Sequence, residues 1–326
     1  MKRATGVIAW AAYAAIRTAL AVLQVFPIEW SLRAGRPLAR GWIRLMPRHR
    51  DRAIQHLRDS FTGVLAPGDV ERVADACLEH WTMFAIELAC TPRLVTPLTW
   101  HRYVRIGDIT DALDAMLSGT GAILVTGHYG HFELAGHVLA CLGFDVRAVM
   151  RPLDNAYLNR YVVAARRAHG LKLIDKKGAM ATAEHALRDG GLLCFIADQN
   201  AGRKGLFVDF FGRPASTYKS IGLLAMTADV PIIVGYARRL GRRFAYEVGV
   251  NRVIHPHEWA DRDDPLLWIT ATYTRAIEDF VRDEPDQYLW IHRRWKSQPR
   301  ARRDRRHAVD PPRPGAYHRA VVSHES

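Results

Sequence analysis

Two side chains with complementary acid–base chemistry stand just beyond the end of an apolar stretch. Residues 121–127 read Gly-Ala-Ile-Leu-Val-Thr-Gly, and His128 and Glu133 come next, five positions apart. A carboxylate at position 133 can turn back and accept a hydrogen bond from one imidazole nitrogen. The other nitrogen is then free to take a proton from a hydroxyl, and the carboxylate stabilises the imidazolium that forms. The pair is therefore a candidate general base with an orienting carboxylate.

Two other interpretations of these residues are open. A histidine and an acid at this spacing are common, and a helix-capping histidine with a surface glutamate would fit as well. His131 and His137 could in principle join His128 and Glu133 as metal ligands. Zinc-binding helices, however, place two histidines at i and i+4, whereas the histidine spacings here are three and six residues. We therefore expect no metal at this site.

The surrounding elements predict how the pair is positioned. Residues 121–127 are typical of a buried strand in a mostly parallel sheet. Strand-like and helix-like segments then alternate, which indicates an α/β fold with crossover connections. We expect further strands at 144–150, 171–174, 191–197 and 231–237, and helices at 132–142, 155–169, 179–188 and 220–228. Residues 242–250 alternate with period two and predict an edge strand.

This arrangement would place His128 where chemistry is usually found in such folds. In open α/β sheets, ligands bind beyond the carboxyl ends of the strands. The helix that begins nearby would also offer backbone N–H groups to a phosphate or a developing oxyanion. The fold class we expect is α/β, with a mostly parallel central sheet flanked by helices.

The amino-terminal segment predicts contact with a membrane. Residues 5–28 are apolar apart from Arg17 and a few polar groups. Because a central charge costs a spanning helix about 2.5–3.5 kcal/mol on insertion scales, a clean span is not favoured. We expect a helix lying in, or tilted through, the interface, with Trp10, Tyr13 and Trp30 as amphipathic anchors. A helix buried in the protein's own core is the alternative.

The positive charge and the cysteine pattern predict anionic partners and a cytoplasmic setting. The chain has 46 Lys and Arg against 33 Asp and Glu, a net charge of +13, which suits anionic lipid, phosphorylated substrates or nucleic acid. Arginines are frequent between residues 33 and 52, directly after the apolar segment, as on the cytoplasmic side of membrane helices. The four cysteines form no CxxC pair, and we expect buried, reduced thiols in a cytoplasmic setting.

Five sequence blocks carry a more specific signal than the His/Glu pair. They read GHYGHFE at 127–133, MRPLDN at 150–155, ADQN at 197–200, FVDFFGRPA at 207–215 and QYLWIHRRWK at 287–296. In this order, between about residue 100 and residue 299, they resemble the lipid A biosynthesis acyltransferase family. That family includes the late lauroyl and myristoyl transferases and the related phosphatidylinositol mannoside acyltransferases.

The resemblance implies a glycerolipid acyltransferase-like fold and an O-acyltransferase. The enzyme would move a fatty acyl chain from acyl carrier protein, or acyl-CoA, to a hydroxyl of a lipid A precursor or related glycolipid. His128 would be the general base and Glu133 its orienting partner, with no cofactor beyond the acyl donor and no covalent acyl-enzyme. The sequence agrees, since it has no GxSxG motif.

The resemblance also implies a set of substrate-binding residues on the acceptor side. They are Arg151, Asn155, Arg166, Asp198, Gln199 and Arg294. Solvated surface charges are the alternative for the first two arginines, and structural hydrogen bonding for the Asp-Gln pair. The aromatic segment around Arg294 would be buried, with its arginines reaching the site from below. The family often carries Asn where His131 stands, so His131 is either inert or couples to the neighbouring imidazole as a like charge.

We expect three segments: an apolar membrane-associating helix with a basic segment at 1–50, the α/β acyltransferase domain at 51–299, and a disordered basic tail at 300–326. The expected location is the bacterial inner membrane, with the catalytic domain on its cytoplasmic side. A phosphatidylinositol mannoside-type or glycerophospholipid acyltransferase is the alternative activity. A basic membrane- or nucleic-acid-binding protein is the alternative outside enzymes, although no recognised nucleic-acid motif is present, and we expect no nucleic-acid partner.

Overall fold

The computed structural model describes residues 4–150, 152–168, 170–175 and 179–299. Two predictions lie outside these residues: the substrate contact of Arg151 and the disordered tail at 300–326. The described α-helices are α1 Val7–Val25, α2 Ile28–Leu45, α3 Pro47–Ser60, α4 Pro67–Leu94, α5 Thr110–Leu117, α6 Leu134–Cys141, α7 Ala156–Arg167, α8 Ala179–Arg188, α9 Ser220–Ala228 and α10 Pro265–Asp283. Short 3-10 helices span Trp100–Arg102, Gly202–Lys204, Pro256–Glu258 and Pro285–Gln287.

The strands form one large sheet and one hairpin. They are β1 Val104–Ile106, β2 Ala122–Thr126, β3 Val146–Met150, β4 Lys172–Asp175, β5 Leu192–Ile196, β6 Leu206–Phe210, β7 Arg213–Thr217, β8 Ile232–Arg239 and β9 Tyr246–Ile254. The large sheet has the order β1-β9-β8-β2-β5-β3-β4. Its neighbours are parallel except for the antiparallel pair of β8 and β9. The predicted α/β class with a mostly parallel sheet is therefore confirmed.

Helices cover both faces of the sheet. The crossovers from β2 to β3 and from β3 to β4 run in one direction across the sheet, and those from β4 to β5 and from β5 to β8 run back. Because crossovers between parallel strands are right-handed, α6 and α7 lie on one face and α8 and α9 on the other. Helix α5 shares a core cluster with Leu139 and Ala140 of α6 and so lies on the face of α6. The core clusters agree, since α5 packs with β2 and β5 in one cluster, while α8, α9 and α10 share another.

Two features of the sheet differ from the prediction. The strand expected at 242–250 is β9 and is not at the edge, because the three-residue strand β1 pairs beyond it; so short a strand gives no period-two pattern. The hairpin of β6 and β7 was not predicted. Its turn has positive φ at Phe211 (56°) and Gly212 (70°), as two-residue hairpin turns require. The strain at Phe211 is compensated by its backbone N–H, which donates to Glu278 Oε2 at 2.6 Å.

Helix α1 is apolar and almost entirely uncovered. It is long and apolar enough to cross a membrane by length and composition, and only 6% of its apolar 18-residue stretch is buried. Val7, Ile8 and Val25 are each more than three-quarters exposed. Large exposed apolar surfaces of this kind mark interaction with a membrane or a partner, so α1 suggests membrane association. The alternative of a helix buried in the protein's own core does not fit this exposure.

Contacts between α1 and α7 hold the apolar helix beside the α/β domain. The guanidinium of Arg17, the charge near the middle of α1, lies 4.2 Å from the ring centroid of Tyr161 on α7. The amide of Asn155, which caps α7, donates to Ala9 O at 2.8 Å. A cation placed over an aromatic face is stabilised without an acidic partner. These contacts hold α1 against α7.

The cysteines are free, as far as the structure describes them. Cys77 and Cys90 are buried, whereas Cys141 and Cys194 are partly accessible. The expectation of reduced thiols fits this arrangement. The expected burial holds for only two of the four.

Candidate active site

The loop after β2 carries His128 at the carboxyl end of the central sheet. Gly130 has φ +54°, and a Cβ there would lie 2.0 Å from Ala237 O, so the sharp bend requires glycine. The carboxyl-terminal segment braces this loop through backbone bonds. Leu289 N–H donates to His128 O at 3.0 Å, and Gly130 N–H donates to Gln287 O at 3.1 Å. The imidazole therefore projects from a rigid backbone, as a reactive group requires.

Asp198 is the carboxylate that holds His128. It follows β5, which pairs in parallel with β2, so both residues lie at the same edge of the sheet. His128 Nδ1 lies 2.7 Å from Asp198 Oδ1, and the His128 backbone N–H donates to Asp198 Oδ2 at 2.8 Å. The two side chains are only 15% and 4% exposed. An ionised carboxylate only accepts, so Nδ1 carries the proton and Nε2 presents its lone pair.

Glu133 has another partner than the predicted one. Its carboxylate accepts from Arg166, with Arg166 Nε 3.0 Å from Glu133 Oε2 and a second, shorter contact to Oε1. The prediction that Glu133 turns back to orient His128 is therefore corrected, because Asp198 occupies Nδ1. Glu133 lies at the start of α6, where a guanidinium from α7 reaches it. Both members of this ion pair line the same cavity as His128.

Opposing effects set the protonation of the His128–Asp198 pair. Burial alone lowers the pKa of His128, but the charge and hydrogen bond of Asp198 and the charge of Glu133 raise it above the ordinary value. Burial alone raises the pKa of Asp198, and the contacts with His128 outweigh it and lower that pKa to about 2. Asp198 therefore stays ionised, and His128 is a stronger base than a free imidazole.

Gln199 lies next to the free nitrogen of His128. Its amide nitrogen is 3.2 Å from His128 Nε2. Its backbone carbonyl accepts from Arg294 Nη1 at 3.2 Å, and Arg294 Nη2 donates to Thr217 Oγ1 at 2.6 Å. Arg294 is 1% exposed and does not line the cavity. The structure thus places it behind the site, where it ties the Gln199 loop to β7, and not in contact with substrate.

Asn155 has a structural position. Its Oδ1 accepts from the backbone N–H groups of Tyr157 and Leu158 and caps α7, while its Nδ2 donates to Ala9 O. Both the oxygen and the nitrogen of the amide are hydrogen-bonded within the chain. The side chain therefore caps a helix and, contrary to the prediction, is not placed to contact substrate. Asparagine is among the residues preferred at this helix position.

His131 and His137 have hydrogen-bond partners outside the His128–Asp198 pair. His131 is fully buried, with Nε2 2.9 Å from Thr91 Oγ1, and burial lowers its pKa to about 3. It is neutral at physiological pH, so like-charge coupling to His128 does not arise. His137 Nε2 lies 2.7 Å from Val95 O. Within the described residues, no group of three or more His, Cys, Asp or Glu could hold a metal ion.

A cavity of about 480 Å³ opens beside His128, within the usual range for small-molecule sites. Its polar wall consists of Thr126, His128, Glu133, Arg166, Gln199, Tyr218 and Ser220. Its remaining walls are apolar. The strand registers bring Leu124, Ala148, Cys194 and Ile233 to one face of the sheet, and these residues line the cavity under α5 and α6.

Small residues create this space. Ala135 and Gly136 on α6 and Ala148 and Gly235 on the sheet line the cavity where larger side chains would fill it. Leu139 lies about 1.7 turns beyond the N-cap residue Glu133, about 9 Å deeper at 1.5 Å per residue. The cavity is therefore a largely apolar pocket with one polar end, suited to a hydrocarbon chain.

The chain is similar to known proteins over most of its length. The family model described as bacterial lipid A biosynthesis acyltransferase matches residues 3–297. A lipid A biosynthesis palmitoleoyltransferase of Escherichia coli K12 is 29% identical over 189 residues, 57% of this chain and 59% of the relative. A lipid A biosynthesis lauroyltransferase of the same organism is 23% identical over 200 residues, 61% of this chain and 63% of the relative.

A third similarity involves another glycolipid. A phosphatidylinositol mannoside acyltransferase of Mycobacterium tuberculosis is 26% identical over 143 residues, 42% of this chain and 45% of the relative. The chain spans about half the length of the curated relatives it matches. What these proteins share by name is acyl transfer to a glycolipid.

Proposed function

Because the chain belongs to the bacterial lipid A biosynthesis acyltransferase family, we propose that it transfers a fatty acyl chain from a thioester donor to a hydroxyl of a lipid A precursor. The observation that carries this proposal is the position of His128. One imidazole nitrogen is fixed by Asp198, and the other faces an apolar cavity through a polar mouth. A base at the open end of a hydrocarbon-sized pocket suits acyl transfer and few other reactions.

In the proposed first step His128 activates the acceptor. The hydroxyl displaces the Gln199 amide from His128 Nε2 and donates its proton to that nitrogen as its oxygen attacks the thioester carbonyl carbon. Asp198 keeps the Nδ1 proton in place and stabilises the imidazolium. Glu133, although paired with Arg166, adds a second negative charge that favours the protonated ring. No covalent acyl-enzyme forms.

In the second step the tetrahedral intermediate collapses. The carbon–sulfur bond breaks, the ester remains on the acceptor, and the departing thiolate takes the proton from His128 Nε2. Once displaced from Nε2, the Gln199 amide can donate to the developing oxyanion, because it lies on a loop fixed by Arg294. The acyl donor is the co-substrate, and the reaction consumes nothing else.

We place the acceptor on the membrane side of the mouth. Arg166 projects from α7, which carries the apolar helix α1, and a guanidinium suits phosphate or carboxylate groups on a lipid headgroup. The proposed location is the bacterial inner membrane, with the catalytic domain on the cytoplasmic side, because the arginines of α2 follow α1 directly.

The transfer itself is the direct test. Purified full-length protein in detergent is supplied with acyl carrier protein bearing a radiolabelled lauroyl group and with a lipid A precursor, and the lipid fraction is analysed by mass spectrometry. We expect one added acyl ester per acceptor. A phosphatidylinositol mannoside is the second acceptor, because of the mycobacterial similarity. Labelled acyl on neither lipid would overturn the proposed function.

Filling the cavity should discriminate against long acyl chains. Gly136 lines the cavity on α6, and a Cβ there would already lie 3.6 Å from Cys194 Sγ. In Gly136→Leu we expect lauroyl transfer to fall at least about tenfold, a loss of about 1.4 kcal/mol, while butyryl transfer is retained. Rates with both donors and the unfolding temperature are measured.

Gly68→Leu is the matched control. It makes the same chemical change in α4, where nothing lies within 4 Å of the added Cβ. We expect no change in chain-length preference. Equal losses of lauroyl and butyryl transfer in a folded Gly136→Leu protein would exclude the cavity as the acyl site.

A further inference from the structure

Three cations stand beside the cavity mouth on the side of α9. Arg203 and Lys204 belong to the 3-10 helix Gly202–Lys204, and Lys219 directly precedes α9. All three are exposed. No acidic side chain pairs with any of them within the part of the chain that the structure describes. Unpaired cations grouped on one surface attract a negatively charged partner.

The packing of the chain brings these cations together. The backbone N–H of Ala201 donates to Ser216 O at 3.1 Å, so the 3-10 helix lies against the end of β7. Thr217 ends β7, and Tyr218 and Lys219 follow at once. Gln199 on one side and Tyr218 and Ser220 on the other line the cavity. The basic group therefore borders the opening that leads to His128.

An exposed apolar strip continues from the cations along α9. Leu223 and Met226 are 42% and 38% exposed, and they share a helix face with Lys219 because the three residues are four and three positions apart. Tyr218, 41% exposed, adds an aromatic side chain at the mouth. Apolar side chains with charged groups around them have the composition of a protein interface, with an apolar centre and a polar rim.

Resting on the proposed acyl transfer, we infer that Arg203, Lys204, Lys219 and the strip of Tyr218, Leu223 and Met226 form the docking surface for an acidic acyl carrier protein. The three cations would steer and orient the acidic partner, and the apolar strip would be covered on contact. The thioester arm would then pass Tyr218 and Gln199 to reach His128.

The position of this surface gives each substrate its own approach. Helix α9 lies on the face of the sheet opposite α7, and α1 packs on α7. A lipid held at α1 and a soluble carrier held at α9 would therefore reach the strand ends from opposite faces. They meet at His128 without competing for the same surface, as a direct transfer without an acyl-enzyme requires.

The geometry favours a protein over coenzyme A. The strip from Lys219 to Met226 covers about 10 Å of helix at 1.5 Å per residue, and its side chains point outward from the fold. Nucleotides bind in clefts that bury most of their surface. An outward-facing helix face with cations on a neighbouring turn offers instead the contact area that a small acidic protein needs.

The test is a charge reversal at the three cations, Arg203→Glu, Lys204→Glu and Lys219→Glu in one protein. Its kinetics are measured with one acyl group on three donors: acyl carrier protein, coenzyme A and N-acetylcysteamine. We expect KM for the acyl carrier protein to rise at least about tenfold, with kcat within about twofold and unchanged kinetics on the N-acetylcysteamine thioester. Added salt should raise KM for the carrier protein in the unaltered enzyme and much less in the variant.

A matched variant controls for net charge. Arg188→Glu, Arg262→Glu and Arg275→Glu make the same charge change at exposed positions that do not line the cavity, and Arg188 lies four residues before the amino end of β5. We expect KM for the carrier protein to stay within about twofold, since steering acts locally at physiological salt.

Three results would overturn the inference alone while the proposed function stands. They are an unchanged KM for the carrier protein in the mouth variant, an equal rise in the control variant, and a larger rise for acyl-CoA than for the carrier protein. Absence of transfer from every donor by the unaltered enzyme would overturn the proposed function, and the docking surface with it.

Discussion

Replacing His128 with alanine is expected to lower kcat by about 10²–10⁴-fold, the range that a positioned general base contributes. The acceptor hydroxyl then has no group at the mouth to take its proton. KM for either substrate should change little, because the apolar cavity and the outer surface are untouched. Initial rates of labelled lauroyl transfer at saturating donor and acceptor measure the effect.

His131→Asn is the control for this variant. It also removes an imidazole, three residues away, but His131 is buried, neutral and bonded to Thr91. We expect its kcat to stay within about threefold of the unaltered protein, since removing a buried neutral hydrogen bond costs about 1–3 kcal/mol of stability and touches no reacting atom. A folded His128→Ala protein with full activity would exclude the mechanism.

Asp198→Asn is also expected to lower kcat strongly, because it changes the tautomer of His128. The carboxylate accepts both the backbone N–H and the Nδ1–H of His128, whereas an amide has one acceptor oxygen. The amide NH₂ would face one of these donors and would favour the tautomer with the proton on Nε2, which cannot act as a base. The same exchange in Ser-His-Asp triads lowers kcat by about 10⁴-fold, and we expect a loss of about 10²–10⁴-fold here.

The pH profile separates this role from a merely structural one. Asp198 raises the pKa of His128, so its loss lowers that pKa. A base works only above its pKa, and the acid limb of the kcat profile should therefore move to lower pH in Asp198→Asn. In Glu133→Gln, which removes a nearby charge but no hydrogen bond to the ring, we expect a smaller shift. A larger shift in Glu133→Gln would restore Glu133 as the orienting carboxylate.

The sequence was sufficient to predict that His128 lies at the carboxyl end of the central strands. The apolar run before His128 predicted β2, and the alternation of elements predicted the parallel sheet that places His128 at a carboxyl end. Both inferences depend on local periodicity, which side-chain burial on a pleated strand imposes directly. The five sequence blocks added the resemblance to the family, because they occur in the family's order and at similar spacing along the chain.

The partner of His128 could not be predicted in the same way. Glu133 is near in sequence, whereas Asp198 is near in space because β5 pairs with β2. Strand order is set by long-range packing, and nothing in the local pattern around Asp198 states which strand lies next to it. The sequence did offer one indication that Asp198 belongs to the site. Asp198 follows a predicted buried strand, as His128 does.

Asn155 and Arg294 show that a residue in a family-like block need not contact the substrate. Both occur in blocks that resemble the family, yet one caps α7 and the other is buried behind Gln199. A residue that fixes a site is as strongly tied to a family's pattern as one that touches substrate. Only burial and bonding partners separate the two roles, and neither is visible in a single sequence.

The brace formed by residues 287–294 has a consequence for biosynthesis. This segment begins at the last residue of the 3-10 helix Pro285–Gln287 and follows every α-helix and strand of the described residues, and its backbone and Arg294 hold the loops of His128 and Gln199. Since a chain emerges from the ribosome amino end first, the apolar helix α1 is made before any part of the domain, and the brace is made after all of it. In the proposed acyl transfer, the apolar helix would therefore be available to a membrane before the general base is assembled, since His128 is held in place only once this brace has been synthesised.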